Sequence, residues 1–186
     1  MKYRIQLKQR QIKLSEEQQI FLGLGSNMGD RYQNLKKGIH QLNDHPHIWV
    51  IDQSYIYQSP AMYKTDQDDF YNMVAKIDTN LIPIDLLTEV KKIEIKSGRI
   101  PQSKKNIHRI LDIDILAIGD LTIQSASLEL PHPGISERKF VLKPWSDIAP
   151  TFTLPDTSQT VSELLENTAD LSEVRMVLIL DKEGKN

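Results

Sequence analysis

The sequence predicts an α+β fold with a largely antiparallel sheet flanked by helices. Three observations support this prediction. The chain has 186 residues, of which 39% are hydrophobic, and this is enough for one domain with a sizeable core. Short apolar runs with strand character alternate with longer stretches in which apolar residues recur at helical spacing. Up to Asp114 the predicted elements run in the order β-α-β-β-α-β.

The first half of the chain is predicted to contain three strands and one helix. The first strand covers 20–25, and a turn rich in Gly, Asn and Asp follows it over 25–30. Strands over 48–58 and 70–78 come later and are separated by a loop. The helix between the first two strands has apolar residues on one face, namely Leu35, Ile39 and Leu42.

The second half is predicted to contain three helices and three strands. Pro83 begins the first of these helices and Gly98 ends it, as the preferences of proline and glycine suggest. A strand over 110–118 follows, and the turn after it leads to a partner strand around 121–123. The last three elements are a helix from about 136, a helix begun by the capping-box pair Thr160 and Glu163, and a strand over 174–180. The order up to Asp114 is that of the split β-α-β arrangement, which favours a ferredoxin-like core.

Residues 20–186 are expected to form this single domain, and residues 1–19 form an N-terminal extension. The extension holds five Lys or Arg residues against two Glu residues. Its polar composition favours a flexible or partner-dependent segment, while the alternation of Tyr3, Ile5 and Leu7 with polar residues allows an added edge strand. Both interpretations stay open.

Composition excludes several function classes. A net charge of -2 argues against general binding to nucleic acids or anionic membranes, since both favour a basic surface. The chain has no cysteine, so neither a disulfide nor a thiolate zinc site is expected. No apolar run approaches the length of a membrane span, and the N-terminus lacks an apolar signal-peptide core. These observations predict a cytoplasmic protein.

The most informative segment combines a cationic stretch with a pair of carboxylates. Four basic residues and no acidic residue occur over 99–111, and Asp112 and Asp114 follow directly. Two residues apart on a strand, the two carboxylates lie on one face about 6.5 to 7 Å apart at the backbone. Such a pair can bind one or two hard cations such as Mg²⁺, and the adjacent cations suit phosphate groups. A strand with one solvated face is the alternative interpretation.

Familiar phosphate-binding motifs do not fit. In the stretch over 23–29 the third glycine comes one residue too late for a dinucleotide-binding fingerprint. The sequence also has no Gly-x4-Gly-Lys-Ser/Thr loop and lacks the elements of a protein kinase. A phosphate-transferring activity therefore requires another scaffold.

Seven separate segments, in order, resemble the 6-hydroxymethyl-7,8-dihydropterin pyrophosphokinase family. They are LGLGSNMGD (22–30), YQSP (57–60), DFYN (69–72), the helix end from Ile93 to Arg99, RILDIDIL (109–116), LPHP (130–133) and RKF (138–140). The resemblance covers Phe21 to about Pro155, roughly three quarters of the chain. Enzymes of this family act in folate biosynthesis, where they transfer a pyrophosphoryl group from ATP to the hydroxymethyl group of the pterin and release AMP.

The resemblance implies a set of site residues. Asp112 and Asp114 match the ligands of two Mg²⁺ ions, and Arg99 and Arg109 match catalytic arginines that also contact the ATP phosphates. Further ATP contacts are implied for Glu94, Lys105, His132 and Arg138, although Glu94 could equally be a solvated helix charge. The implied pterin contacts are Ser59, Pro60, Asn72 and the two aromatic walls, Phe70 and Phe140.

The chain also departs from the family pattern. Ile107 and His108 precede Arg109 where the family usually has smaller residues, Pro101 and Asn106 replace a frequent arginine and tryptophan, and Tyr63 replaces a small residue. These changes alter the segments that close over the substrates, yet an active enzyme is expected because the metal pair and pterin residues are intact. A pterin- or nucleotide-binding interaction protein with weakened catalysis is the alternative. A neighbouring folate-pathway enzyme is the partner that the resemblance suggests.

Overall fold

The structure is a computed structural model that describes residues 18–61, 68–99 and 108–178. Its elements, in chain order, are β1 (Ile20–Ser26), α1 (Arg31–Asn43), β2 (Ile48–Gln53), β3 (Ile56–Ser59), β4 (Phe70–Thr79), α2 (Pro83–Lys96), β5 (Asp112–Ile118), β6 (Ile123–Gln124), β7 (Glu129–Leu130), a 3-10 helix (Ile135–Glu137), α3 (Lys139–Ile148), α4 (Val161–Asn167) and β8 (Arg175–Leu178). Among the helices of these ranges, none has the length and apolar character needed to cross a membrane.

One antiparallel sheet organises the fold. Its strand order is β5-β1-β4-β3-β8, and β2 also pairs with β4. Strands β1 and β2 run in the same direction with β4 between them, and β4 and β5 run in the same direction with β1 between them. Each of these parallel pairs is connected by a helix, α1 or α2. This is the split β-α-β topology, and the predicted ferredoxin-like α+β fold is confirmed.

Helices cover both faces of the sheet because side chains alternate along each strand. Leu22 and Leu24 of β1 point into a core formed with α1 and α2, while Phe21 points into a second core formed with α3 and α4. In the second core the Phe21 and Trp145 rings lie 5.0 Å apart at their centroids, and Trp145 is fully buried. Removing the Trp145 ring would cost about 3 to 5 kcal/mol, as large-to-small changes in a packed core do.

The predicted single strand over 48–58 is interrupted, so that prediction is wrong in detail. The pairing of β2 with β4 shifts register between Val50 and Asp52, and Ser54 and Tyr55, which belong to neither strand, separate β2 from β3. Ser54 stabilises the break, since its backbone N donates to the Val74 carbonyl and its Oγ accepts from the Val74 N, both at 2.9 Å. A bulge of this kind depends on side chains distant in sequence, which strand periodicity does not record.

The predicted partner strand around 121–123 does not pair with the aspartate strand. Instead β6 pairs with β7 in a separate two-stranded sheet. Side chains of α2 occupy the outer edge of β5, because Ile113 N donates to Glu94 at 2.7 Å and Lys91 donates to the Ile113 carbonyl at 2.9 Å. The edge of β5 is therefore capped by a helix.

Apart from β7, which was not predicted, the remaining elements follow the prediction closely. The helical stretch expected from about 136 is a short 3-10 turn followed by α3, and α4 begins with the predicted capping box of Thr160 and Glu163. Several predictions lie outside the described residues: those on residues 1–17 of the extension, on Tyr63, on Pro101, Lys105, Asn106 and Ile107, and on the end of the closing strand.

Candidate functional site

The two aspartates lie on one face of β5, at the end of the sheet where the connection from α2 enters. Their cross-strand partners on β1 are glycines, since Asp112 faces Gly25 and Asp114 faces Gly23. The side chains are 18% and 40% exposed, respectively. Because Gly25 has no side chain, the surface beside Asp112 is low, whereas the Leu116 side chain lies over Gly23, where an added Cβ atom would be 3.2 Å from Leu116 Cδ2. The structure thus gives the aspartates the shared face and the access to solvent that cation binding requires.

Two arginines contact Asp112, one before and one after residues 100–107, which lie outside the described residues. Arg99, just after α2, has its Nη1 atom 3.1 Å from Asp112 Oδ1, and Arg109 donates from Nη1 to Asp112 Oδ2. The backbone of Arg109 is itself held by Asn27, whose Oδ1 accepts from Arg109 N at 2.6 Å and whose N donates to the Arg109 carbonyl at 3.0 Å. The turn after β1 therefore fixes where the strand with the aspartates begins.

Glu94 is fully buried, which rules out a solvated helix charge at this position. Its carboxylate accepts hydrogen bonds from Ile113 N and from Lys91 Nζ, both at 2.7 Å, and from Arg99. Burial raises the pKa of Glu94, against the lowering effect of Lys91 and of the Ile113 backbone. Glu94 thus ties α2, β5 and Arg99 together, while its predicted contact with ATP stays a prediction.

Asp114 lies between two further cationic or ionisable groups. Lys91 Nζ is 3.5 Å from Asp114 Oδ1, and His132 Nε2 is 3.9 Å from Asp114 Oδ2. His132 N donates to the Leu116 carbonyl at 2.8 Å, so the loop before α3 is fastened to the aspartate strand. Arg138 lies directly before α3, and a Cβ atom added to Gly134 would be 3.5 Å from its Nε.

Asn72 occupies the same row of the sheet as Asp112. The row runs from Asp112 through Gly25 and Asn72 to Tyr57, across four strands. Directly paired residues share a face, so the amide and the carboxylate face the same side, roughly 10 Å apart at the backbone. Asn72 is 6% exposed, and its Nδ2 donates to Ser59 Oγ at 2.9 Å.

Because Gly25 has no side chain, the surface between Asp112 and Asn72 is low at this position, which we call the glycine gap. A Cβ atom there would lie 3.2 Å from Asn72 Oδ1 and 3.8 Å from Phe70 Cδ1. Phe70, the first residue of β4, is half-buried beside this gap. Phe140, in the first turn of α3, is also half-buried and packs against the second core. Pro60 follows β3 and is exposed.

The structure brings most of the predicted site residues into two neighbouring groups. Arg99, Arg109, Asp112, Glu94, Asp114 and His132 form one group of ion pairs and hydrogen bonds, and Ser59, Phe70 and Asn72 form a second group beside it. Arg138 and Phe140 come from the start of α3, Pro60 lies on the surface, and Lys105 is outside the described residues. Sequence reasoning gave no role to Asn27 or Lys91. Lys91 had a signal in its i,i+3 spacing from Glu94.

Sequence comparisons identify relatives over most of the chain. A profile of the 7,8-dihydro-6-hydroxymethylpterin-pyrophosphokinase (HPPK) family matches residues 21–150. The 2-amino-4-hydroxy-6-hydroxymethyldihydropteridine pyrophosphokinase of Haemophilus influenzae is 33% identical over 156 residues, with 84% of this chain and 96% of the relative covered. The enzyme of the same name from Methylorubrum extorquens is 39% identical over 145 residues, with 78% and 90% covered.

Other relatives are much longer. The folic acid synthesis protein FOL1 of Dictyostelium discoideum is 39% identical over 148 residues, which is 80% of this chain but 22% of that protein. The chain spans about a fifth of the FOL1-type proteins of two fungi as well. Among solved structures, the Plasmodium falciparum HPPK-DHPS with pterin and p-hydroxybenzoate superposes with a TM-score of 0.63 at 17% identity, covering 83% of this chain and 42% of that chain. At this identity the likeness shows the shared fold.

Proposed function

The chain belongs to the 7,8-dihydro-6-hydroxymethylpterin-pyrophosphokinase family, and we propose that it transfers pyrophosphate from ATP to the hydroxymethyl group of 6-hydroxymethyl-7,8-dihydropterin. The family predicted from the sequence is confirmed by these matches. One observation carries the proposal to this chain: the row in which Asp112, Gly25 and Asn72 lie side by side on one sheet face. It supports the proposal because the carboxylate proposed to bind the cation and the amide proposed to bind the flat pterin ring lie roughly 10 Å apart on one face, within the span of one pair of substrates.

The donor set around the aspartates fits Mg²⁺. In the described ranges no cluster of three or more His, Cys, Asp or Glu residues could form a closed metal site. Mg²⁺ is usually bound by one or two carboxylates, with the remaining positions filled by water and substrate phosphates. Asp112 and Asp114 are such a pair and would hold the metal, two ions by analogy with the family. When bound, Mg²⁺ neutralises phosphate charge and polarises the phosphoryl centre.

The arginines are proposed to hold the triphosphate. The guanidinium groups of Arg99 and Arg109 both contact the Asp112 carboxylate. Planar guanidinium groups bind phosphoryl oxygens through paired hydrogen bonds. In the proposed reaction they orient the chain of phosphates and stabilise the charge that develops during transfer. His132 lies beside Asp114 and Arg138 directly precedes α3, and we assign both, with Lys105 and Glu94, to the nucleotide.

The pterin is proposed to bind over the glycine gap. Asn72 offers one donor and one acceptor group to the ring edge, and Ser59 orients its amide. Phe70 and Phe140 supply aromatic surface for the ring faces, and Pro60 supplies backbone contacts at the rim. In this pose the hydroxymethyl oxygen attacks the β-phosphorus, the bond from that phosphorus to the α,β-bridging oxygen breaks, the hydroxyl proton passes to water, and AMP leaves with the bridging oxygen.

One assay tests the activity. The protein is incubated with ATP, Mg²⁺ and the dihydropterin, and the nucleotide products are separated by chromatography. AMP formed in equal amount to pterin pyrophosphate is the expected result, whereas ADP would mean transfer of a single phosphoryl group. Binding of pterin or nucleotide without turnover would instead support an interaction protein with weakened catalysis.

A folate-pathway enzyme is the proposed partner, and the cytoplasm is the proposed location. Support for the partner comes from similar proteins, namely an HPPK-DHPS and a folic acid synthesis protein far longer than this chain. Size-exclusion chromatography of the chain with such an enzyme should show a complex. Separate elution at micromolar concentrations would contradict a stable partnership.

A further inference from the structure

Arg31, in the first turn of α1, contacts the strand that carries two of the proposed pterin residues. Its Nη1 donates to the backbone carbonyl of Asp69 at 2.6 Å, across 38 positions of sequence. Its guanidinium carbon lies 4.1 Å from the centroid of the Tyr71 ring, within the range of a cation–π contact. Arg31 therefore holds the residue on each side of Phe70.

These contacts act on the orientation of Phe70 because of strand alternation. Tyr71 points toward α1 and packs against the first core, so Phe70 and Asn72 point to the opposite face. Phe70 is the first residue of β4 and pairs with Ser59, the last residue of β3. Strand ends open more readily than strand centres. A contact that fixes the residue before Phe70 therefore limits the movement of its ring.

The side chain of Asp69 is held as well. Gln58 Nε2 donates to Asp69 Oδ2 at 2.6 Å, so backbone and side chain of this residue are anchored by two different elements, α1 and β3. The guanidinium of Arg31 is engaged by a carbonyl and a ring on the α1 side of the sheet. This is the face opposite the aspartates, which distinguishes Arg31 from the arginines that meet Asp112.

We propose that Arg31 is a positioning residue that fixes the Phe70 wall for pterin binding, which rests on the proposed function. It acts from the far face of the sheet and touches neither substrate. Its removal should therefore weaken the pterin complex and leave the nucleotide complex unchanged. A phosphate-binding arginine would have the reverse effect.

The test compares the parent, Arg31→Ala, Arg31→Lys and the control Lys36→Ala, which removes an exposed charge from the same helix. Calorimetry measures the Kd of the pterin and of Mg-ATP separately. Arg31→Ala should raise the pterin Kd about tenfold, the scale of one lost aromatic contact, and change the Mg-ATP Kd less than twofold. Arg31→Lys keeps a cation over Tyr71, so its pterin Kd should lie between those of the parent and Arg31→Ala. The pterin Kd of Lys36→Ala should match that of the parent.

A second measurement addresses position directly. Hydrogen exchange of the backbone amides over 70–72 should be several-fold faster in Arg31→Ala than in the parent, and unchanged in Lys36→Ala. Equal exchange, an unchanged pterin Kd, or equal loss of pterin and Mg-ATP binding would each overturn the proposal. If Arg31→Ala does not fold, an unchanged pterin Kd in Arg31→Lys overturns it. If the parent binds neither substrate, the proposed function fails while the exchange comparison still decides the role of Arg31.

Discussion

Asp114→Asn separates the proposed chemistry from the stability of the fold. The change keeps the size of the side chain and removes one anionic oxygen from the pair on β5. Asp114 has 40% of its side chain exposed, and its ion-pair partner Lys91 keeps its bonds to Glu94 and to the Ile113 carbonyl. Partly exposed ion pairs contribute at most about 1 kcal/mol. The free energy of unfolding should therefore change by less than about 1 kcal/mol.

Turnover should respond far more strongly. If Asp112 and Asp114 are the two protein ligands of the metal, the variant loses half of the anionic donors that hold it against the triphosphate. A loss of two to four decades in kcat corresponds to about 3 to 5 kcal/mol of transition-state stabilisation, the range of a removed electrostatic contact in a catalytic site. The pterin residues Phe70 and Asn72 are untouched, so pterin binding should survive in part.

The assay measures AMP release at saturating ATP and pterin over a range of Mg²⁺ concentrations, together with urea unfolding. Asp120→Asn is the matched control, since Asp120 is an exposed aspartate in the turn after the same strand. It should behave as the parent in both measurements. If Asp114→Asn turned over at the parent rate, the aspartate pair would be a solvated strand face and the assignment of the active site would be refuted.

Three further variants test other parts of the site. Asn72→Ala should raise the pterin Kd about 10- to 100-fold, because ring hydrogen bonds stay unmade, with Mg-ATP affinity unchanged; equal pterin affinity by calorimetry would contradict this. Gly25→Ala puts a Cβ atom 3.2 Å from the Asn72 amide oxygen and should weaken pterin binding in the same titration; an unchanged pterin Kd would contradict this. Asp170→Ala removes a carboxylate that accepts from Lys139 N at 2.9 Å and should lower the free energy of unfolding by about 1 kcal/mol at neutral pH. Burial raises the pKa of Asp170, but hydrogen bonds from Ser172 and the Lys139 backbone outweigh it, so the folded pKa is lowered. The difference from the parent in urea unfolding should thus shrink as the pH falls below about 4, and a constant difference would contradict the assignment.

Local patterns made most of the fold predictable from the sequence. The capping box of Thr160 and Glu163 involves residues three positions apart, and both of its hydrogen bonds are present. The shared face of Asp112 and Asp114 follows from strand alternation alone. The break between β2 and β3 was not predictable in this way, since it depends on the pairing of Ser54 with Val74, twenty residues later.

The site shows the same division. Residue types and the family resemblance predicted the groups with proposed chemical roles, but not the groups that position them. Asn27 holds the backbone of Arg109 across 82 positions, and Arg31 reaches Asp69 across 38. Neither spacing has a local signature. The burial of Glu94 could not be predicted from the sequence either, because a glutamate near a helix end is usually solvated.

The charges around Asp112 explain how the proposed site can be stable without bound substrates. Among the described residues the network pairs the cations of Lys91, Arg99 and Arg109 with the carboxylates of Glu94, Asp112 and Asp114. Equal numbers of opposite charges offset the cost of their partial burial. A metal ion alone has to compete with two arginines for Asp112, whereas a triphosphate arriving with the metal gives those arginines new anionic partners. In the proposed reaction, metal and nucleotide therefore favour each other's binding, while buried Glu94 keeps Arg99 in reach of both.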